Sequence, residues 1–201
     1  MIAIIDYGMG NLRSVEKALL LLGAECLVMA DADEVRRADQ AILPGVGAFG
    51  PAMERLRQAG LVGALQEFID EGKPFLGICL GMQLLFAIGR ERGDFPGLGL
   101  VPGEVVRFPE GLPVRVPHIG WNELTFCGAS PLWRGLQGGE RAYFVHSYFG
   151  VLRDEGWLAA TTTHGIEFAA AIWRGNVFAT QFHPEKSGAV GMTMLRNFVE
   201  L

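Results

Sequence analysis

Apolar and polar residues follow one rhythm in the first half of this chain and another in the second. The first half sets short apolar runs between amphipathic stretches. Ile2-Ala3-Ile4-Ile5 reads as a buried strand. From Asn11 to Leu22 the residues Leu12, Val15, Leu19 and Leu22 fall at i, i+3, i+7 and i+10, the spacing of one helix face. Glu25 to Val28 and Gln40 to Leu43 are predicted strands, and residues 52–59 and 61–71 predicted helices. Phe75-Leu76-Gly77-Ile78 reads as another buried strand, and Met82-Gln83-Leu84-Leu85-Phe86 as the start of a helix. Strands alternating with helices predict a parallel sheet covered on both faces. The second half is denser in short strands, predicted near 100–107, 113–117, 141–149, 157–162, 167–173 and 177–182, before a last helix from about Ala189 to Val199. No repeat, linker or charge block interrupts it. The expectation is one α/β domain over residues 1–201, with a mainly parallel central sheet flanked by helices and additional short antiparallel strands in the second half.

Composition narrows the classes of function. The net charge of −5 offers no footprint for nucleic acid or for an acidic membrane surface. Three cysteines without paired spacing suit a reducing compartment, which points to the cytoplasm. The stretch Met1-Ile2-Ala3-Ile4-Ile5-Asp6 has no basic start and is too short in apolar residues for a signal peptide, and no run is long enough to span a bilayer. The four histidines show no metal-ligand spacing with Cys26 and Cys127, so no metal and no cofactor are expected. Gly8-Met9-Gly10 follows a strand, but position 13 is Arg where a dinucleotide fingerprint needs a third glycine.

The chemistry concentrates in two places. Cys79 lies in Gly77-Ile78-Cys79-Leu80-Gly81, at a predicted strand-to-helix junction. Glycine two residues away on each side is the pattern of a nucleophile elbow, whose sharp turn leaves no room for side chains there. The turn lifts the sulfur above the sheet edge, and a helix N-terminus favours the reactive thiolate. A lone cysteine is more often a small buried apolar residue. His183-Pro184-Glu185 tips the balance, because a Cys-His pair is the usual activated nucleophile. Pro184 biases His183 toward the extended region, where residues i and i+2 share a side, so imidazole and carboxylate can lie together.

Three further segments sit beside these. Pro44-Gly45-Val46-Gly47 follows a strand and precedes a helix led by Pro51, at the carboxyl edge where α/β sheets bind ligands. Gln83 lies one helical turn after Cys79. His146 sits on an aromatic-rich predicted strand and reads equally well as a satisfied core histidine.

Gly77-Ile78-Cys79-Leu80-Gly81-Met82-Gln83 and His183-Pro184-Glu185 resemble the two catalytic blocks of the class I glutamine amidotransferases. Asp6-Tyr7-Gly8-Met9-Gly10-Asn11, Pro44 to Phe49, Gly120-Trp121-Asn122, Tyr143 to Tyr148 and Lys186-Ser187 narrow the likeness. They resemble the branch serving as glutaminase subunits of imidazole glycerol phosphate synthase in histidine biosynthesis. The resemblance implies hydrolysis of L-glutamine by a Cys79, His183, Glu185 triad. It implies an oxyanion hole from the amides of Leu80 and Val46. It implies glutamine contacts at Gly45, Gly47, Gln83, His146, Ser147 and Tyr148, those of 146–148 largely through backbone. It also implies a heterodimer with a (β/α)8-barrel cyclase subunit, docked near Asn11, Trp121, Tyr143 and Lys186. Two other readings use the same elbow: the glutaminase subunit of another ammonia-channelling synthase, such as pyridoxal phosphate synthase, and a non-hydrolytic redox sensor.

Overall fold

The computed structural model describes residues 1–201. Its first half runs β1 (Ile2–Ile5), α1 (Leu12–Leu21), β2 (Cys26–Met29), α2 (Ala32–Arg37), β3 (Gln40–Gly45), α3 (Phe49–Gln58), α4 (Leu61–Asp70), β4 (Phe75–Cys79) and α5 (Leu80–Gln83). The second half adds β5 (Phe86–Gly89), β6 (Phe95–Pro96), β7 (Val101–Arg107), β8 (His118–Glu123), β9 (Thr125–Phe126), β10 (Arg141–His146), β11 (Tyr148–Leu152), β12 (Leu158–His164), β13 (Ile166–Arg174), β14 (Val177–Thr180) and α6 (Gly188–Val199).

The eight-stranded sheet has the order β2-β1-β3-β4-β14-β13-β12-β9. Its first five strands are parallel and the last three join antiparallel. Strands covered on both faces should be apolar throughout, and β1 is buried at all four positions. Its side chains divide by the strand period. Ala3 and Ile5 join one core cluster with α3 and α4, while Ile2 and Ile4 join the other with α1 and α6. A four-stranded sheet, β11-β7-β5-β6, and a two-stranded ribbon, β10-β8, complete the second half. No helix is long and apolar enough to cross a membrane.

The α/β class and the mainly parallel sheet covered by helices agree with the sequence reading, three local expectations do not, and one helix was not expected. The helix expected over Met82–Phe86 ends at Gln83, and Phe86–Gly89 forms β5, parallel to β7. A short, fully apolar run such as Leu84-Leu85-Phe86 carries no period that separates strand from helix. Residues 113–117 form no strand; pairing begins at His118. The strand expected over 141–149 is two strands, broken at Ser147, which belong to different sheets. Helix α2 is an addition: Asp31 caps it by accepting from the Asp33 and Glu34 amides at 2.9 and 3.0 Å.

This topology decides where the chemistry goes. β4 lies between β3 and β14, all three parallel. Register pairs Gly45 with Cys79 on one side and Thr180 with Ile78 on the other. Gly45, Cys79 and Gln181 therefore arrive abreast at the carboxyl edge of the sheet.

Candidate active site

Cys79 ends β4 with φ 56° and ψ −109°, a conformation that non-glycine residues avoid. Such a residue costs about 1–3 kcal/mol and persists only where its surroundings over-determine it. The surroundings here are two glycines. A Cβ on Gly77 would meet the backbone of Gly81 at 2.9 Å, and one on Gly81 would overlap the Leu43 carbonyl of β3. Helix α5 can therefore start directly against the sheet, with Leu80 the first residue after the sulfur. That helix is a single turn, so the macrodipole expected from the sequence is much reduced; its free N–H groups remain.

His183 follows β14 with extended backbone, φ −100° and ψ 98°. The chain then makes one 3-10 turn over Pro184–Lys186, which corrects the expectation of a straight extended segment. The turn still brings the side chains together: Nδ1 of His183 lies 2.8 Å from Oε1 of Glu185, both side chains buried. Ser187 anchors this turn. Its hydroxyl donates to the His183 carbonyl at 2.6 Å and accepts from the Tyr143 amide at 3.0 Å. The His183 amide in turn donates to the Tyr143 carbonyl at 3.0 Å.

The other ring nitrogen, Nε2, is buried and makes no well-formed hydrogen bond. Cys79 and His183 line the same cavity, and such contacts tighten when substrate binds. Burial opposes protonation of the His183 ring. Interaction with Cys79, and then with Glu185, outweighs it and holds the pKa up at about 9. The raised value favours the protonated ring at neutral pH.

The cavity above these residues is about 230 Å³. Val46, Gly47, Leu80, Gln83, Ser147, Tyr148 and Lys186 line it together with Cys79, His183 and His146. Gly45 stands just behind, where an added Cβ would meet the Tyr7 hydroxyl at 2.6 Å and Leu80 at 2.9 Å. Glu185 lies behind His183 rather than in the cavity wall. Two lining residues escaped the sequence reading, Val145 and Glu91. Glu91 sits in the charged loop between β5 and β6 and accepts from the Phe49 amide at 2.9 Å, which ties its carboxylate to the start of α3.

The His146 ring spends both of its nitrogens on partners inside the fold. Its Nδ1 donates to the Tyr148 carbonyl at 2.8 Å, so its Nε2 must accept from Nδ1 of His118, 3.0 Å away. His118 Nε2 then accepts from Asn122 at 3.3 Å. Both rings are neutral in this chain. Burial drives the His146 pKa down to about 3, although its bond to Tyr148 works the other way, and burial drives His118 down to about 4. For a histidine depressed in the fold, stability is fully present above the unfolded value near 6.5 and is lost as pH falls toward the folded value. Thermal melts are expected to drop steadily from pH 6.5 to 4, with a shallower drop in His146→Gln. Equal slopes would remove these histidines from the account.

The glutamine amidotransferase class-I model matches residues 3–201. The chain belongs to the class I glutamine amidotransferases. As a member of that family it is 51% identical to the imidazole glycerol phosphate synthase subunit HisH of Geobacter sulfurreducens, over all of this chain and 98% of that one. It is 54% identical to the subunit of the same name from Moorella thermoacetica, over all of this chain and 94% of that one. The amidotransferase fold recurs in PurLQS from Thermotoga maritima, with a TM-score of 0.78 at 20% identity over 99% of this chain and 97% of that one.

Proposed function

We infer that this chain is the glutaminase subunit of an imidazole glycerol phosphate synthase, hydrolysing L-glutamine to L-glutamate and ammonia for a cyclase partner. One observation carries the reading: a buried cysteine shares a cavity at the sheet edge with His183, whose ring is backed by Glu185. The chain holding them is about half identical, end to end, to curated subunits of that synthase.

The Cys79 thiolate attacks the side-chain carbonyl of glutamine. The amides of Leu80 and Val46 receive the oxyanion, an arrangement worth on the order of 10²–10³ in rate per donor. Protonated His183 gives its proton to the departing nitrogen, and ammonia leaves. Water activated by His183 then hydrolyses the glutamyl thioester. Glu185 orients the ring and stabilises its charge. Gly47, Gln83, Ser147 and Tyr148 hold the amino acid, Gly45 backs the wall without lining it, and Glu91 offers a carboxylate to the α-ammonium. His146 contributes through its backbone only.

Ammonia released into water at neutral pH is largely protonated and no longer nucleophilic, so it needs a sheltered acceptor. One face beside the cavity suits a partner. Ile119 and Trp121 are 61% and 54% exposed on β8, and register sets Trp121 beside Tyr143 of β10, their rings 6.2 Å apart. Exposed Lys186 and half-buried Asn11 complete the set assigned to docking a (β/α)8-barrel cyclase in a heterodimer. Exposed aromatics of this kind are the usual anchors of interfaces.

Ammonia release from glutamine is expected to be slow for the free chain and much faster with the cyclase and its ribonucleotide ligand present. Equal rates would overturn the assignment. Trp121→Ala should leave the melting of the free chain unchanged and weaken association with the cyclase by about 2 kcal/mol or more, read by calorimetric titration. Unchanged affinity would move the interface elsewhere.

A further inference from the structure

Gln181 was not among the residues expected at the site, yet it touches the reacting sulfur. It is 0% exposed, and its Nε2 lies 3.7 Å from Cys79 Sγ. Its Oε1 accepts from Nε2 of Gln83 at 3.0 Å. The other Gln83 N–H donates to the Tyr148 carbonyl at 2.9 Å, the same oxygen that accepts from His146.

These contacts admit only one direction of donation. A carbonyl oxygen cannot donate, so Gln83 must turn its NH2 toward Tyr148. That NH2 spends its second hydrogen on Gln181, which must therefore present Oε1 to Gln83. Gln181 is left with its own NH2 facing the sulfur. The orientation of a buried amide is thus dictated from the histidine side of the core, two residues away from the cysteine. A neutral thiol gains little from such a donor, because it is a weak acceptor. A thiolate gains much more, since hydrogen bonds to charged groups are stronger than neutral ones.

We propose that Gln181 is the residue that holds Cys79 as a thiolate, its amide locked as a donor by Gln83. The proposal rests on Cys79 being the nucleophile of the reaction inferred above, and it adds to His183 a second, uncharged source of thiolate stabilisation. It acts without moving a proton: His183 takes the thiol proton, and Gln181 favours the anion that remains. It also pins the sulfur between β4 and β14, because register already sets Thr180 beside Ile78.

The test reads the sulfur directly, without glutamine. Alkylation of Cys79 by iodoacetamide in the full chain is followed by mass spectrometry from pH 5 to 9. Gln181→Leu removes the donor, and Gln181→Glu keeps the acceptor toward Gln83 while setting an oxygen against the sulfur. Both should alkylate about ten- to a hundredfold more slowly near neutral pH. Their profiles should shift to higher pH, with kcat for ammonia release falling by a similar factor and KM little changed. Should either variant fold poorly, the unmutated chain still decides the matter. One solvent-protected glutamine side-chain amide should titrate in proton–nitrogen spectra with the same midpoint as alkylation, and its shift should stop moving in Cys79→Ala. Folded variants that alkylate like the parent, or a buried amide indifferent to the sulfur, would overturn the proposal. Fast alkylation in a chain that never releases ammonia, even with the cyclase, would instead sink the glutaminase reading and leave the thiolate donor standing.

Discussion

Cys79→Ser is expected to reduce ammonia release from glutamine by about 10⁵–10⁶-fold, the scale seen when a triad loses its nucleophile. The substitution changes one atom and little volume, so the fold should survive it. What disappears is an anion. Serine's hydroxyl is far less acidic than a thiol and yields no resting anion for Gln181 and His183 to stabilise. His183 changes with it. Its raised pKa depends on Cys79 ahead of Glu185, so without the sulfur it should fall below about 9. The sign of the stability effect follows. A histidine raised in the fold adds stability below its unfolded value near 6.5, and that contribution fades as pH rises through the folded value. The His183 contribution is therefore present in full below pH 6.5 and fades toward about pH 9, and less of it should be present in the serine chain. Trapping with an electrophilic glutamine analogue checks the same claim, since only the parent should carry the adduct at position 79. Hydrolysis that survived in the serine chain would remove Cys79 from the chemistry.

The part of this site that could be read from the sequence is the part whose physics is local. The elbow announces itself because two glycines are needed within two residues of the strained one, and the structure shows what each avoids. His183 and Glu185 could be paired because only Pro184 separates them, although the link is a 3-10 turn rather than an extended segment. What escaped depends on partners distant in sequence. Gln181 gains its role only because β14 is parallel to β4, which no local pattern announces. Glu91 reaches the cavity because β5 and β6 pair antiparallel and its loop folds back over the start of α3. The run 141–149 looks like one strand, since alternation continues through Ser147. Register with β8 and then with β7 is what divides it. His146 was legible in type but not in direction: its ring pairs with a second histidine, and the residue also lines the cavity.

Gly81→Ala is expected to destabilise the fold by about 3 kcal/mol or more, beyond the usual range for an added methyl group in a core. The reason is what the new Cβ would strike. At most crowded positions the obstacle is a side chain that can turn aside, whereas here it is the Leu43 carbonyl in the middle of β3. That strand cannot retreat, because it is paired with β1 on one side and β4 on the other. Helix α5 must move instead, and it carries Leu80 and the strained turn at Cys79 with it. Relief of the clash therefore costs burial of Leu80 and Met82, and it also misplaces the sulfur. For a chain of this size each kcal/mol moves the melting temperature by roughly 2–4 °C, so a drop near 10 °C is expected, with ammonia release lost even well below the transition. Gly63→Ala supplies the control. Gly63 lies within α4, and an added Cβ there meets nothing within 4 Å. Alanine at that position should stabilise by about 0.5–1 kcal/mol through reduced freedom of the unfolded chain. Opposite signs from the same chemical change would tie the effect to the approach of α5 to β3. A Gly81→Ala chain that melted with the parent would show that this approach has slack, and the elbow would then need another account of how its strain is held.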